Sequence, residues 1–257
     1  NEFLGVQGAT LRMLRTLLSQ KLITECKESD YYIEPMGFDS HPLKAKVLAY
    51  LDCNNSKNRV CSKSLLLTGD AGMGKTQFSL NLAGHFWGIY HKNPKVIPLY
   101  IDLKEVCKVG FLTQPNMTLL KAVIQVAKSR LSVPNNMIEP MLAYLQQNHL
   151  LLIIDGCDEI KQDMLKYLFA ACLKDDTGYQ QGKARQIIFT CREEALMLCT
   201  SEETAEWFSK IDLQSGQYVE HLHLRLSLWS HDQIQLYLNQ YAKKQQTKRL
   251  IENAEAR

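Results

Sequence analysis

The sequence predicts an α/β fold, a parallel sheet covered by helices on both faces. Two observations carry this. Residues 64–69, 96–103, 149–155 and 186–191 form short runs that are almost wholly apolar, the composition a strand needs when it is buried on both sides. The stretches between them carry helical periodicity, as in residues 118–131, where Leu119, Leu120, Val123, Ile124, Ala127 and Leu131 make one stripe. A chain of 257 residues, 46% hydrophobic and 22% charged, can bury one large core with a small appendage.

Taken in order, residues 8–28 place Leu11, Leu14, Leu18 and Leu22 at helical spacing and end in a polar turn. Tyr31-Tyr32-Ile33-Glu34-Pro35 reads as an extended entry segment. A second helix starts at His41-Pro42 and runs to about Leu51, and residues 54–58 form a solvent loop. The four apolar strands and their helices follow, then a weaker strand at 220–226. Ser230-His231-Asp232-Gln233 has the pattern of a capping box, with Ile234, Tyr237, Leu238 and Tyr241 following on one helical face. Beyond Lys243 the chain is polar and expected to be solvated or frayed. The expected division is an N-terminal helical and entry segment at 1–58, a nucleotide-binding domain at 59–228, and the start of a helical domain at 229–257.

The formal net charge of +3 is too small to indicate nucleic acid or an anionic membrane as partner. No run approaches the roughly 20 apolar residues of a membrane span. The chain opens Asn1-Glu2-Phe3 without Met or a leader pattern, so both ends are expected to be cuts in a longer protein. Its 8 cysteines contain no Cys-x-x-Cys and are expected to be free thiols in a reducing cytoplasm.

Function is written in two places. Residues 64–76 read as an apolar strand, a turn Gly69-Asp70-Ala71-Gly72-Met73-Gly74, and a helix opening with Lys75-Thr76-Gln77. This is the spacing of a phosphate-binding P-loop, G-x-x-x-x-G-K-[ST]. Backbone N–H groups wrap a phosphate closely only where Cβ atoms are missing. Lys75 then adds charge at the β- and γ-phosphates, Thr76 offers a hydroxyl to Mg²⁺, and the helix N-terminus adds its dipole. The second place is residues 149–159, where a buried strand runs into Asp155, Gly156, Cys157, Asp158 and Glu159. Asp155 leaves the sheet at its carboxyl edge, where open α/β sheets bind ligands, and suits Mg²⁺ directly or through water. Asp158, with Glu159 in reserve, could orient or deprotonate a water, or both could cap the next turn.

The pattern Asp155-Gly156-x-Asp158-Glu159, with a small residue where many ATPases place their base, resembles the NACHT family of P-loop NTPases. The resemblance runs from about Tyr31 to Tyr241 and is strongest at the two motifs. It implies ATP and ADP as ligands with Mg²⁺, GTP being the alternative. In that likeness residues 95–103 are the second strand, and residues 186–191 are a sensor strand whose following Arg192 reaches the γ-phosphate. Read without the family, Arg192 could equally cap a helix or pair with Glu193 or Glu194. Residues 226–238 resemble the opening of the family's helical domain, although no Gly-x-Pro stands at its usual place and these 257 residues are expected to stop too early to hold the family's winged-helix domain. The family implies a cytoplasmic STAND-class signalling switch. Slow hydrolysis would reset a state that opens for self-assembly or a protein partner. A work-performing AAA+-like ATPase and a non-hydrolysing nucleotide-bound scaffold are the rivals.

Three further features read as structure. His221 and His223 lie two apart on the weak strand without an evident third zinc ligand. Phe86, Trp87 and Tyr90 close the P-loop helix as core residues. Lys243-Lys244 and Lys248-Arg249 are a solvated helix face.

Overall fold

A computed structural model describes residues 32–37, 40–55, 60–62, 64–90, 96–114, 116–131, 134–161, 164–174, 185–198, 202, 208–212, 218–221 and 223–255. The helix expected at 8–28 lies outside these residues. In chain order the elements are α1 (Leu43–Asn55), β1 (Val60–Ser62), β2 (Ser64–Thr68), α2 (Lys75–Tyr90), β3 (Ile97–Asp102), α3 (Leu103–Lys108), α4 (Leu119–Leu131), α5 (Ile138–Gln146), β4 (Leu150–Asp155), α6 (Leu165–Lys174), β5 (Arg185–Cys191), β6 (Ser209–Asp212), β7 (Tyr218–His221), β8 (His223–Arg225) and α7 (His231–Glu255).

Five strands form a parallel sheet in the order β3-β4-β5-β2-β8. Each of the four apolar runs became one of them, its bounds shifted by a residue at one or both ends. Every residue of β2 and β4 is buried, which explains why their sequences do not alternate. The chain leaves β2 for the far edge at β3 and returns through β4 to β5. Successive right-handed crossovers in opposite directions place their helices on opposite faces, so α2 covers β3, β4 and β5 while α4 to α6 serve the other side. There Phe169 of α6 meets Phe189 of β5 edge-on at 4.9 Å, and both enclose Phe208. On α1, the Tyr50 hydroxyl donates to Ile187 O at 3.4 Å, and the Gln186 amide donates to Leu51 O at 3.0 Å. Those bonds fix the helix onto β5.

Three expectations are corrected. The weak strand at 220–226 is two strands in two sheets: β7 pairs antiparallel with β6, which pairs with β1, whereas β8 joins the main sheet beside β2. Asn54 and Asn55, expected in a loop, close α1 instead, and the rest of that expected loop, 56–58, lies outside the described residues. The tail beyond Lys243 is not frayed but helix to Glu255, in keeping with the helix face expected of Lys243-Lys244 and Lys248-Arg249, because its Lys, Gln, Glu and Arg residues are good helix formers.

The capping box at the start of α7 is present. Gln233 N–H donates to Ser230 Oγ at 3.2 Å, and Ser230 N–H donates to Gln233 Oε1 at 2.9 Å. The same Gln233 side chain donates through Nε2 to Glu34 O at 2.8 Å. Ser227 binds Met36 O through both N–H and hydroxyl, and Gly37 bridges Leu226. The entry segment is therefore laced to the foot of α7. Its Tyr32 phenol is pushed well above the usual range by burial, with Glu34 adding to the effect. Along α7 the expected apolar stripe is exposed, with Ile234, Leu238 and Tyr241 between 43% and 51% accessible. Among the described residues no helix is long and apolar enough to cross a membrane.

Candidate nucleotide site

All five strands of the main sheet run the same way, so their carboxyl ends share one edge. Register fixes what meets there. Thr68 stands opposite Cys191 on one side and Arg225 on the other, and Asp102 stands opposite Asp155. The turn after β2 is thus flanked by the ends of β5 and β8, with β4 one strand further along.

That turn takes its shape from two glycines with positive φ, Gly72 at 78° and Gly74 at 86°, a conformation that costs other residues about 1–2 kcal/mol. No protein atom lies within 4 Å of where a Cβ on either would stand, so the turn is open on that side. Gly69 is tighter, because a Cβ there would meet Leu226 and Met73 at 3.2 Å. Leu226 N–H donates to Thr68 O at 2.8 Å, which holds the chain after β8 against the start of the turn. Lys75 Nζ donates to Gly69 O at 2.7 Å and Asp70 O at 3.0 Å. The lysine therefore closes the turn on itself and keeps its charge at the mouth.

Asp155 is 5% exposed and is held from both sides. Thr190 Oγ1 donates to its Oδ1, and Tyr100 OH donates to its Oδ2 at 3.0 Å. Thr190 follows Phe189, the partner of Ile154, and so sits directly beside Asp155. Tyr100 pairs with Ile153 and reaches one step diagonally, within range of an aromatic side chain. Thr190 Oγ1 also accepts from Gly156 N–H at 3.2 Å. Gly156 has φ 84°, and this left-handed step turns the chain into the short helix Cys157–Glu159.

The remaining charged residues separate. Arg192 Nε lies 2.7 Å from Asp158 Oδ2, and its backbone N–H donates to Oδ1 at 3.2 Å. It pairs with neither Glu193 nor Glu194, the two partners the sequence suggested. Glu193 instead faces Arg225 at 2.9 Å. Glu159 is half exposed, 3.6 Å from Lys104. His223 Nε2 is 2.7 Å from Thr68 Oγ1, a sheet contact between β8 and β2. Trp87 is buried and Phe86 packs against the core, as expected of the P-loop helix.

A model of the NACHT domain matches residues 63–245, more than half of the sequence. The chain belongs to the NACHT family. Comparison with curated proteins gives no match. Among solved structures this NACHT chain is similar to the Aeropyrum pernix Orc1 protein in complex with DNA, at 13% identity and a TM-score of 0.45, over 82% of this chain and 51% of that one. It is similar to Cdc6p from Pyrobaculum aerophilum at 18% identity and 0.45, over 84% and 53%. The C. elegans PCH-2 structure follows at 14% and 0.38, over 69% and 43%. The chain spans about half the length of these structures.

Nucleotide binding is what a NACHT P-loop implies, usually with Mg²⁺, and the residues present fit both. The first N–H groups of α2 have no partner within the helix and face the open turn with Lys75. Gln77 in that first turn buries an amide nitrogen that has no hydrogen bond among the described residues, a donor suited to a ligand oxygen. Thr76 is exposed, and Asp155, with about four acceptor sites and two occupied, retains capacity for a Mg²⁺-bound water. Sequence reasoning missed Tyr100, Thr190 and the Asp158–Arg192 pair. Thr190 alone gave a signal, as a polar residue within an apolar strand.

Proposed function

We propose that this NACHT domain is a nucleotide-state switch. It holds ADP in a resting form and exchanges it for ATP, and slow Mg²⁺-dependent hydrolysis returns it. In this reading residues 69–77 hold the phosphates, and Lys75 exchanges its two loop carbonyls for phosphate oxygens. Thr76 and Asp155 hold Mg²⁺, which neutralises charge on the phosphates when bound. The acid that handles the attacking water comes from the 158–159 pair, and Glu159 is the one left without a close partner. Arg192 reads the γ-phosphate. Residues 1–58, 59–228 and 229–257 act as entry segment, nucleotide domain and the start of the helical domain.

The observation that carries the switch reading is the end of β4. Gly156 occupies the place directly after the metal-binding aspartate, and its left-handed turn moves the acids onward by two and three residues. An acid set back in this way supports slow hydrolysis over rapid cycling. The exposed apolar residues of α7 support contact with a protein partner or with further copies of the chain, in a cytoplasmic signalling role.

The test has two parts. Mass spectrometry of nucleotide released from purified protein should find adenine nucleotide, chiefly ADP; guanine nucleotide would change the ligand. Steady-state turnover should lie below the roughly 1 s⁻¹ low end of typical enzymes. Turnover well above that value would replace the switch with a motor.

A further inference from the structure

Arg192 and Asp158 stand just beyond the ends of β5 and β4 and meet because those strands are adjacent. One carboxylate holds the arginine twice, at Nε (2.7 Å) and at its backbone N–H (3.2 Å). Both oxygens of Asp158 are thus directed at the same residue. Its side chain is 10% exposed against 49% for the arginine, so the pair is anchored at its buried end and open at the other. A guanidinium has five N–H donors in a fixed plane. With Nε in ion-pair contact with Asp158, the four on Nη1 and Nη2 make no hydrogen bond among the described residues. They form the edge that binds a phosphate bidentately.

Taking the nucleotide-switch reading above as its basis, we propose that Asp158 is a positioning residue for Arg192, and that water handling falls to Glu159. Two physical arguments separate these roles. An exposed arginine has many rotamers and loses that freedom on gripping a ligand; anchoring Nε and the main chain together removes most of the loss beforehand. A carboxylate with one oxygen on the Arg192 guanidinium and the other on its backbone N–H would have to release both in order to turn towards a water. Glu159 is under no such constraint, since among the described residues its ion pair is to Lys104, at 3.6 Å and solvent-exposed.

The experiment is a double-mutant cycle on the full chain, using calorimetric affinities for ADP and for a non-hydrolysable ATP analogue, both with Mg²⁺. Arg192→Ala should weaken the ATP analogue by about 10- to 150-fold, the loss of a charge-assisted contact, and ADP by less than about threefold. Asp158→Ala should lower the ratio of ATP-analogue to ADP affinity by about tenfold. The double variant should be no worse than Arg192→Ala alone, because the two residues act as one unit. Asp158→Asn keeps an acceptor for the Arg192 N–H, so it preserves the turn if Asp158→Ala fails to fold; it should fall between wild type and Asp158→Ala. Additive losses in the cycle overturn the positioning role. So does an Asp158→Asn variant whose nucleotide ratio is wild type while single-turnover hydrolysis is lost, which would make Asp158 the acid. If wild type binds neither nucleotide, the switch reading itself falls first, and that outcome is distinct from both.

Discussion

Thr190→Val tests whether Asp155 is held in place by its neighbour. Valine matches threonine in shape but has no hydroxyl. The change removes the donor to Asp155 Oδ1 and the acceptor of Gly156 N–H together, at a position with 0% exposure. A hydrogen bond to a charged group contributes about 1.5–3 kcal/mol, and an orphaned buried N–H costs about 1–3 kcal/mol. Allowing for the gain from the added methyl, the net loss is about 3 kcal/mol. At about 2–4 °C per kcal/mol for a domain of this size, the melting temperature should fall by about 6–12 °C. Tyr100→Phe removes one bond of 3.0 Å to the same carboxylate and should cost about half as much. Thermal unfolding followed by circular dichroism gives both numbers, and titrating Mg²⁺ at fixed nucleotide gives the effect on metal affinity. The reasoning fails if Thr190→Val melts within 2 °C of wild type, or if Tyr100→Phe is the more damaging change.

Lys75→Ala should abolish stabilisation by nucleotide. Wild type held at 1,000 times its Kd gains about 4.1 kcal/mol, and a comparable gain in the variant would move the phosphate site elsewhere. Gly156→Ala places a side chain at φ 84° with only ordinary contacts around it, so its cost is conformational, about 1–2 kcal/mol; denaturant unfolding should show a lower midpoint at unchanged slope. Burial, followed by the Lys44 ammonium, holds the His85 imidazole below its ordinary value of 6.5. Folding therefore releases protons there, and its contribution is intact above about pH 6.5 and lost as pH falls through the lowered folded value. Melting curves from pH 8 to 5 should show this loss, and His85→Gln should flatten it; an unchanged acid limb would assign the pH dependence to other groups.

What was legible in the sequence is what one segment determines alone. Residues 64–76 carry strand, turn and helix signals in an unbroken run, and the apolar strand before Asp155 places that carboxylate at a sheet edge without reference to anything else. Tyr100, Thr190 and the Asp158–Arg192 pair depend on which strands lie side by side. Asp158 and Arg192 are 34 residues apart, and β4 between β3 and β5 is a fact of topology. The small sheet of β1, β6 and β7 was hidden for another reason: its strands, such as Ser209–Asp212, are three or four residues long and carry no continuous apolar run. In α7 the polar tail offered two readings, a frayed end and a solvated helix face, and helix propensity decided between them.

The lacing of residues 34–37 to residues 226–233 has a mechanical consequence. The path through space from the P-loop to α7 is short: Leu226 N–H binds Thr68 O at 2.8 Å just before the loop, and the capping box begins four residues after Leu226. From there α7 runs unbroken for 25 residues, about 37 Å at 1.5 Å per residue. At that length a tilt of roughly 10° at its foot would carry the tip through about 6 Å. The foot is tied to the entry segment by the bond from Gln233 to Glu34 O and by those from Ser227 to Met36 O, so a pull on residues 34–37 would be felt as leverage at the far end of the helix.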